Sequence, residues 1–119
     1  MTARVQNAGL ARISAALLAL SWWLGWGTGT GAVASANDVA APASEARVLA
    51  TSAQGTTTVT NNTLVLTATI TATGPRAISE FGAFDAATGG NMDLYAETAG
   101  VINLGAGDAI GFTLNLRFG

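Results

Sequence analysis

Two stretches of the chain alternate between apolar and polar residues, and this period of two is the pattern of a half-buried antiparallel strand. Residues 63–73 place leucine, isoleucine or alanine at every second position and threonine at most of the positions between. Residues 110–118 repeat the pattern with larger side chains. We therefore expect a β-domain. Its predicted core contains Leu64, Leu66, Ile70, Phe112, Leu114 and Leu116.

Shorter strands are predicted before and between these two stretches. They cover residues 47–49, 54–59, 76–84, 92–97 and 101–104. Asn61-Asn62 is a hairpin signal, and glycine-containing turns follow the later strands. Short strands at a spacing of about ten residues favour a mainly β fold, either an antiparallel β-sandwich or a jelly-roll-like barrel.

The N-terminal segment predicts a short helix followed by an extended strand or arm at residues 22–30. Apolar residues recur at helical spacing from Asn7, a candidate N-cap, to about Ser21. Three tryptophans then enter a glycine run that disfavours helix, and exposed tryptophans need a surface that buries them. The expected domains are residues 1–46, the helix and arm, and residues 47–119, the β-domain. An interface is predicted at Leu17, Leu18, Trp22, Trp23 and Trp26.

The same N-terminus also has the layout of a secretory signal. Arg4 and Arg12 supply a basic start, residues 13–24 an apolar stretch, and Ala34-Ser35-Ala36 a small-residue cleavage site. The glycine-threonine run between them is longer than a cleavage region needs, which favours the helix. The apolar stretch is shorter than the roughly 20 residues of a bilayer-spanning helix, so no membrane partner is expected.

The residue types that the chain lacks exclude several kinds of chemistry. Cysteine, histidine and lysine are absent, which removes thiol nucleophiles, disulfides, Cys/His metal sites and histidine bases. Five arginines against seven carboxylates provide no basic surface for nucleic-acid phosphates. We expect a protein that is not an enzyme, requires no cofactor or metal and binds no nucleic acid.

Most of the carboxylates and glycines have simple structural explanations. Two carboxylates could flank a glycosidic bond, but their spacing in the sequence does not show that any two of them lie close together. Asp85, Asp93 and Asp108 lie in or beside turns, where turn capping is a better explanation than calcium binding. The run at residues 27–31 lacks the lysine of a phosphate loop, so its glycines indicate close backbone packing or flexibility.

Glu80 is different, because strict alternation directs its carboxylate inward with Ile78, Gly82 and Phe84. A buried carboxylate needs a cation or several hydrogen-bond donors. We predict a structural ion pair rather than a catalytic role. The available cations are Arg47, Arg76 and Arg117.

Five short motifs occur in a fixed order along the chain. They are Gly27-Thr28-Gly29, Glu45-Ala46-Arg47, residues 80–86, Gly89-Gly90-Asn91-Met92 and residues 107–113. In this order they resemble the small virion proteins of tailed bacteriophages, in which an apolar N-terminal helix precedes a β-domain. The resemblance implies a structural role without a catalytic site, in the capsid or at the tail.

Among these roles, a short chain with an apolar arm favours a capsid cement or decoration protein. The expected location is the capsid surface of the virion, and the expected partner is the major capsid protein. Scarce large core side chains favour self-association, with a trimer expected. One alternative is a tail-fibre or baseplate-associated protein, which we would expect in a longer chain. The other, if the N-terminus is cleaved, is a secreted adhesin or pilin-like subunit.

Overall fold

Seven strands and one helix make up the protein in this computed structural model, which describes all 119 residues. They are α1 (Asn7–Leu18), β1 (Trp23–Gly27), β2 (Val48–Leu49), β3 (Thr51–Gly55), β4 (Thr63–Thr71), β5 (Arg76–Phe84), β6 (Met92–Leu104) and β7 (Ala109–Arg117). A four-stranded sheet has the order β2-β1-β5-β6, and a three-stranded sheet has the order β3-β4-β7. All strand pairs are antiparallel. The predicted mainly β sandwich with a short N-terminal helix is therefore confirmed.

The core lies between the two sheets and consists of two clusters. The buried members of the first cluster are Trp22, Leu24, Leu64, Leu66 and Ala83. Those of the second cluster are Trp26, Ile70, Ala72, Ile78 and Phe81. Phe112 of β7 packs against both clusters. Because each cluster draws residues from both sheets, the sheets pack face to face.

The two alternating stretches form the long pair β4 and β7, as predicted. Their register is continuous, from Thr63 opposite Arg117 to Thr71 opposite Ala109. β5 also has its predicted bounds. The strands predicted at residues 92–97 and 101–104 are one strand, β6, which is interrupted by a bulge.

β3 lies earlier than predicted, at Thr51–Gly55 instead of residues 54–59. The two asparagines account for the difference. Asn61 has a positive φ of 57°, and the Asn62 side chain accepts a bond from the Thr57 N–H at 3.1 Å. Asn62 also donates to the Phe118 carbonyl at 2.9 Å. These bonds hold residues 56–62 as a hairpin loop rather than as strand.

The tryptophan segment is a strand, which was one of its two predicted forms, and the predicted arm is wrong. β1 is an inner strand that pairs with β2 on one side and with β5 on the other. Trp22 and Trp26 are each 3% exposed because they face the core. The predicted boundary after residue 46 therefore separates no packing units, since β1 lies inside the four-stranded sheet.

α1 packs against β3 and β4 through a narrow face. Gln6, not Asn7, occupies the N-cap position, and no side chain caps the helix. Leu10 and Ser14 are buried, whereas Ile13 of the predicted apolar stripe is exposed. Gln54 of β3 donates to Ser14 Oγ at 2.7 Å and thereby fixes the helix on the sheet. None of the helical structure is both long and apolar enough to cross a lipid bilayer.

One side of the sandwich is closed by the chain, and the opposite side is open. β2 and β3 are separated only by Ala50, so the chain passes directly from one sheet to the other on the closed side. On the opposite side β6 and β7 are both edge strands. Ile102 of β6 pairs with the fully buried Ile78, yet is itself 37% exposed. We call the side formed by β6 and β7 the open side.

Candidate functional site

Residues 28–46, here called the strap, are held on the four-stranded sheet by one fully buried carboxylate. Glu80 of β5 is 0% exposed. Its Oε2 accepts hydrogen bonds from the N–H groups of Gly29 and Ala41 at 2.9 and 2.8 Å. Its Oε1 accepts a third from the N–H of Ala40 at 2.8 Å. One side chain thus binds two parts of the strap that are ten residues or more apart.

The donors around Glu80 keep it ionised. Burial by itself raises the pKa of this carboxyl, but the backbone N–H groups of Ala41 and Ala40, the Tyr95 hydroxyl and the Gly29 N–H outweigh burial. The pKa of Glu80 is therefore lowered. The negative charge is stabilised by oriented dipoles and not by a counter-ion.

No arginine reaches Glu80, so the predicted ion pair is wrong. Arg76 pairs with Glu45, Arg47 lies 3.9 Å from Asp38, and Arg117 is exposed at the end of β7. The predicted burial is correct, but the carboxylate lies under the strap instead of in the core.

The register between β5 and β6 shifts at the point where the direction of the Glu80 side chain departs from the prediction. Ile78 pairs with Ile102 and Glu80 pairs with Glu97, so four residues of β6 stand opposite Ser79 alone. The alternation of β5 breaks at the same place. Ile78 packs in the second core cluster, while Glu80 binds the strap.

Tyr95 and Glu97 of β6 extend the anchor, and sequence reasoning missed both. The Tyr95 hydroxyl lies 2.9 Å from Glu80 Oε1 and 3.1 Å from Glu97 Oε2. The Gly31 N–H donates to Glu97 Oε2 at 2.6 Å. Burial and the hydrogen bond to Glu80 raise the pKa of Tyr95 to about 12. A spacing of two on one predicted strand is the signal that could have joined Tyr95 and Glu97.

Two glycines let the strap approach the sheet. A Cβ at Gly27 would overlap the Glu80 carboxylate and lie 2.6 Å from the Ala41 carbonyl oxygen. A Cβ at Gly29 would lie 3.0 Å from the Ala41 nitrogen. The predicted close backbone packing of the 27–31 run is confirmed at these positions.

Arg47, just after the strap, is fixed on the same face. Its guanidinium carbon lies 3.4 Å from the centroid of the Phe84 ring, a cation–π contact. Its Nη1 donates to the carbonyls of Ala86 and Gly89 at 2.9 and 2.8 Å. A Cβ at Gly25 would lie 3.1 Å from Arg47 Cγ, so glycine leaves room for the arginine stem.

Glu45 is a second anchored carboxylate of the strap. It accepts hydrogen bonds from Arg76 at 2.8 Å, from Thr73 at 2.7 Å and from the Trp26 indole at 2.9 Å. The bonds from Arg76 outweigh burial and lower the pKa of Glu45 to about 2. A cleft of about 260 Å³ lies beside it, and its charged lining residues Asp38, Glu45 and Arg47 are already bonded within the chain.

The residues predicted as an interface lie inside the fold instead of forming one exposed surface. Leu17 and Leu18 are partly buried against the first core cluster. The Trp22 indole donates to the Leu17 carbonyl at 2.9 Å. Trp26 is in the second cluster, and Trp23 is half-buried opposite Phe84. Their role in this structure is to join α1 and β1 to the core.

The acidic residues near turns divide into two groups. Asp85 accepts from the Asn91 N–H and Asp108 from the Gly105 N–H, each at 2.8 Å, which confirms turn capping. Asp93 lies within β6 and caps no turn, so that prediction is wrong. No cluster of three or more acidic, histidine or cysteine side chains is arranged to hold a metal ion.

The geometry of the strap and its anchors does not by itself indicate a family, but the sequence matches one. The family model described as podophage GP4 fiber I protein gp80 matches residues 5–116. This range includes α1, the strap and all strands except the last residue of β7. The chain belongs to the podophage GP4 fiber I protein gp80 family. No curated protein and no solved structure matches the chain.

Membership in the podophage GP4 fiber I protein gp80 family confirms the prediction, made from the resemblance, that this is a phage virion protein. It is also consistent with a structural protein rather than an enzyme. The family is named for a fibre, and it gives no support to a capsid cement role or to a location on the capsid surface.

Proposed function

We propose that the protein is a structural subunit of a fibre on the virion of a tailed phage. The observation that carries the proposal is the match of residues 5–116 to a family of fibre proteins. This match favours the tail-fibre alternative over the capsid cement role to which the sequence alone gave preference.

The use of the buried charges supports a structural role. Glu80, which accepts hydrogen bonds from the strap, and Glu45, which belongs to the strap, are both bonded within the chain and kept ionised by their partners. Every buried side-chain nitrogen and oxygen atom has a hydrogen-bond partner. Such an arrangement fixes a long loop on a sheet, which suits a subunit that must keep its shape in an extended assembly.

The shape of the subunit agrees with the same role. Its principal extents are 51 × 26 × 26 Å, so the molecule is about twice as long as it is wide. Its radius of gyration is 15.4 Å, against roughly 13.5 Å for a compact domain of this length. An elongated β-subunit can be placed along a narrow fibre more readily than a spherical one.

Labelling of intact virions tests the proposal. Antibodies raised against the folded protein, bound to purified virions and visualised with gold by electron microscopy, should decorate fibres. Pre-immune antibodies from the same animals are the control. Label on the head shell would instead support the capsid cement role, and absence of the protein from purified virions would contradict both.

A further inference from the structure

The open side of the sandwich exposes residues that belong to the core. The inward residues of β6 and β7 continue the two core clusters, yet none of them is buried. By contrast, Leu24, Trp26, Leu64 and Leu66 on the inner strands are at most 3% exposed. Ile102 on β6, which pairs with the buried Ile78, is 37% exposed. Core side chains that stay accessible along one side of a sandwich leave apolar area that another molecule can cover.

The backbone edge of β7 is also unprotected. β7 pairs with β4 without a bulge from Ala109 to Arg117, and it contains no proline, no lysine and no charge before Arg117. Proteins normally block a long regular edge with one of these features, because its free N–H and C=O groups can pair with another strand. The edge of β7 is therefore suited to pairing.

From these observations we propose that a second copy of this chain covers the open side, with β7 of one copy beside β6 of the next. The inference extends the proposed fibre function and rests on it for its biological setting. A nine-residue strand is about 30 Å long, and the molecule is 26 Å across. The open side therefore offers roughly 800 Å² per copy, the area of a standard stable interface.

Charge determines which edges meet. The only charged residues of β6 are acidic, Asp93 and Glu97, whereas the only charged residue of β7 is Arg117. Neither Asp93 nor Arg117 forms an ion pair within the chain. Two β6 edges would bring four carboxylates together, so contact between β6 and β7 is favoured.

The positions of the two charges agree with this pairing. Asp93 precedes Leu94 and Arg117 follows Leu116, and both leucines pack against the first core cluster. The two charges therefore lie at the same end of the sandwich. β6 runs from this end towards the second cluster and β7 runs back. Copies related by a rotation axis along the strands would pair these edges antiparallel, with Asp93 and Arg117 at the same level.

Charge reversal tests the contact in the full-length protein. Sedimentation from about 1 to about 100 µM should show a self-associating protein whose Kd rises about tenfold in Arg117→Glu and in Asp93→Arg. The double variant should return to within about threefold of the original Kd. Arg12→Glu, an exposed reversal on α1, is the matched control and should leave the Kd unchanged. Unchanged far-UV circular dichroism would show that each variant is folded.

Hydrogen exchange gives an independent readout of the β7 edge. In an unpaired edge strand every second amide points to solvent and exchanges rapidly. In the assembled protein all β7 amides should be protected, and dilution should release alternate ones. A monomer at about 100 µM, or an oligomer whose alternate β7 amides still exchange rapidly, would overturn the inference. If the protein is a monomer and the antibodies against it label fibres, the proposed function stands and only the inference fails. If the protein is an oligomer and the antibodies label the head shell, only the proposed function fails.

Discussion

Phe81 of β5 and Phe112 of β7 face each other across the two sheets, with ring centroids 4.3 Å apart and ring planes inclined by 39°. Phe81 is 6% exposed, whereas Phe112 is only half-buried because β7 lies at the open side. The pair is therefore one of the contacts that join the exposed edge of the three-stranded sheet to the core.

The two phenylalanines should differ in their effect on stability. Phe81→Ala should lower the free energy of unfolding by about 3 to 5 kcal/mol, and Phe112→Ala by less, because less buried volume is lost. A double-mutant cycle should give a coupling of about 0.5 to 1.5 kcal/mol. Urea denaturation at low protein concentration measures these values, with Leu20→Ala at an exposed position as control. Equal losses for both variants would show that the two rings are equally buried.

Glu80 should be needed as a charged acceptor and not only for its size. In Glu80→Gln the amide nitrogen would face at least one backbone N–H donor, so we expect a loss of about 2 to 4 kcal/mol in the free energy of unfolding. Glu97→Gln is the matched control, and because Glu97 is exposed its loss should be smaller. Chemical denaturation measures both. Equal and small losses would contradict the account of the strap anchor.

The same carboxylate should contribute to acid sensitivity. The folded pKa of Glu80 is below the unfolded value of 4.5, so its contribution is complete above a pH of about 4.5 and is lost as the pH falls through the folded pKa. Tyr95→Phe removes a donor and should shift this loss to higher pH. The melting temperature, measured between about pH 7 and about pH 3, should fall less steeply in Glu80→Gln than in the unmodified protein.

Glu45 should lose its contribution over a defined pH window. Its pKa is about 2 when folded, against an ordinary value of 4.5. Its contribution is therefore present above pH 4.5 and lost towards pH 2. Because Arg76 is partly exposed, we expect about 1 to 3 kcal/mol. Glu45→Gln should flatten the acid dependence of stability, and Trp26 fluorescence should report the change. An identical acid profile in the variant would contradict this assignment.

Gly27 should tolerate no side chain. A Cβ there would overlap the Glu80 carboxylate, so Gly27→Ala should cost about 1 to 3 kcal/mol and release the strap. Gly100→Ala is the matched control, since a Cβ at Gly100 meets nothing within 4 Å. Limited proteolysis should cleave residues 28–46 faster in the first variant only. Equal cleavage in both variants would show that the strap is not held by this contact.

The long strands could be predicted from the sequence because their signal is local. Every second residue of β4 and β7 is apolar, and this period alone defines the strand and its inward face. β1 could not be predicted in the same way, because Gly25 and Gly27 interrupt its alternation. Those glycines are needed for contacts with Arg47 and Glu80, which are distant in the sequence.

The strap anchor could be predicted only in part. Alternation indicated a buried carboxylate at Glu80, but its partners are backbone N–H groups. Every residue except proline carries such a group, so the sequence contains no signal for Gly29, Ala40 or Ala41 as donors. The alternation of β5 also breaks beside Glu80, where its register with β6 shifts, and the register of two strands is a non-local property.

A reconstruction of the virion fibres by electron cryo-microscopy tests the central claim most directly. The account predicts fibre density that contains this two-sheet sandwich, with β6 of one copy beside β7 of the next and Asp93 near Arg117 of the neighbour. Fibre density into which the sandwich does not fit, together with density for it on the head shell, would contradict the claim that this chain is a fibre subunit.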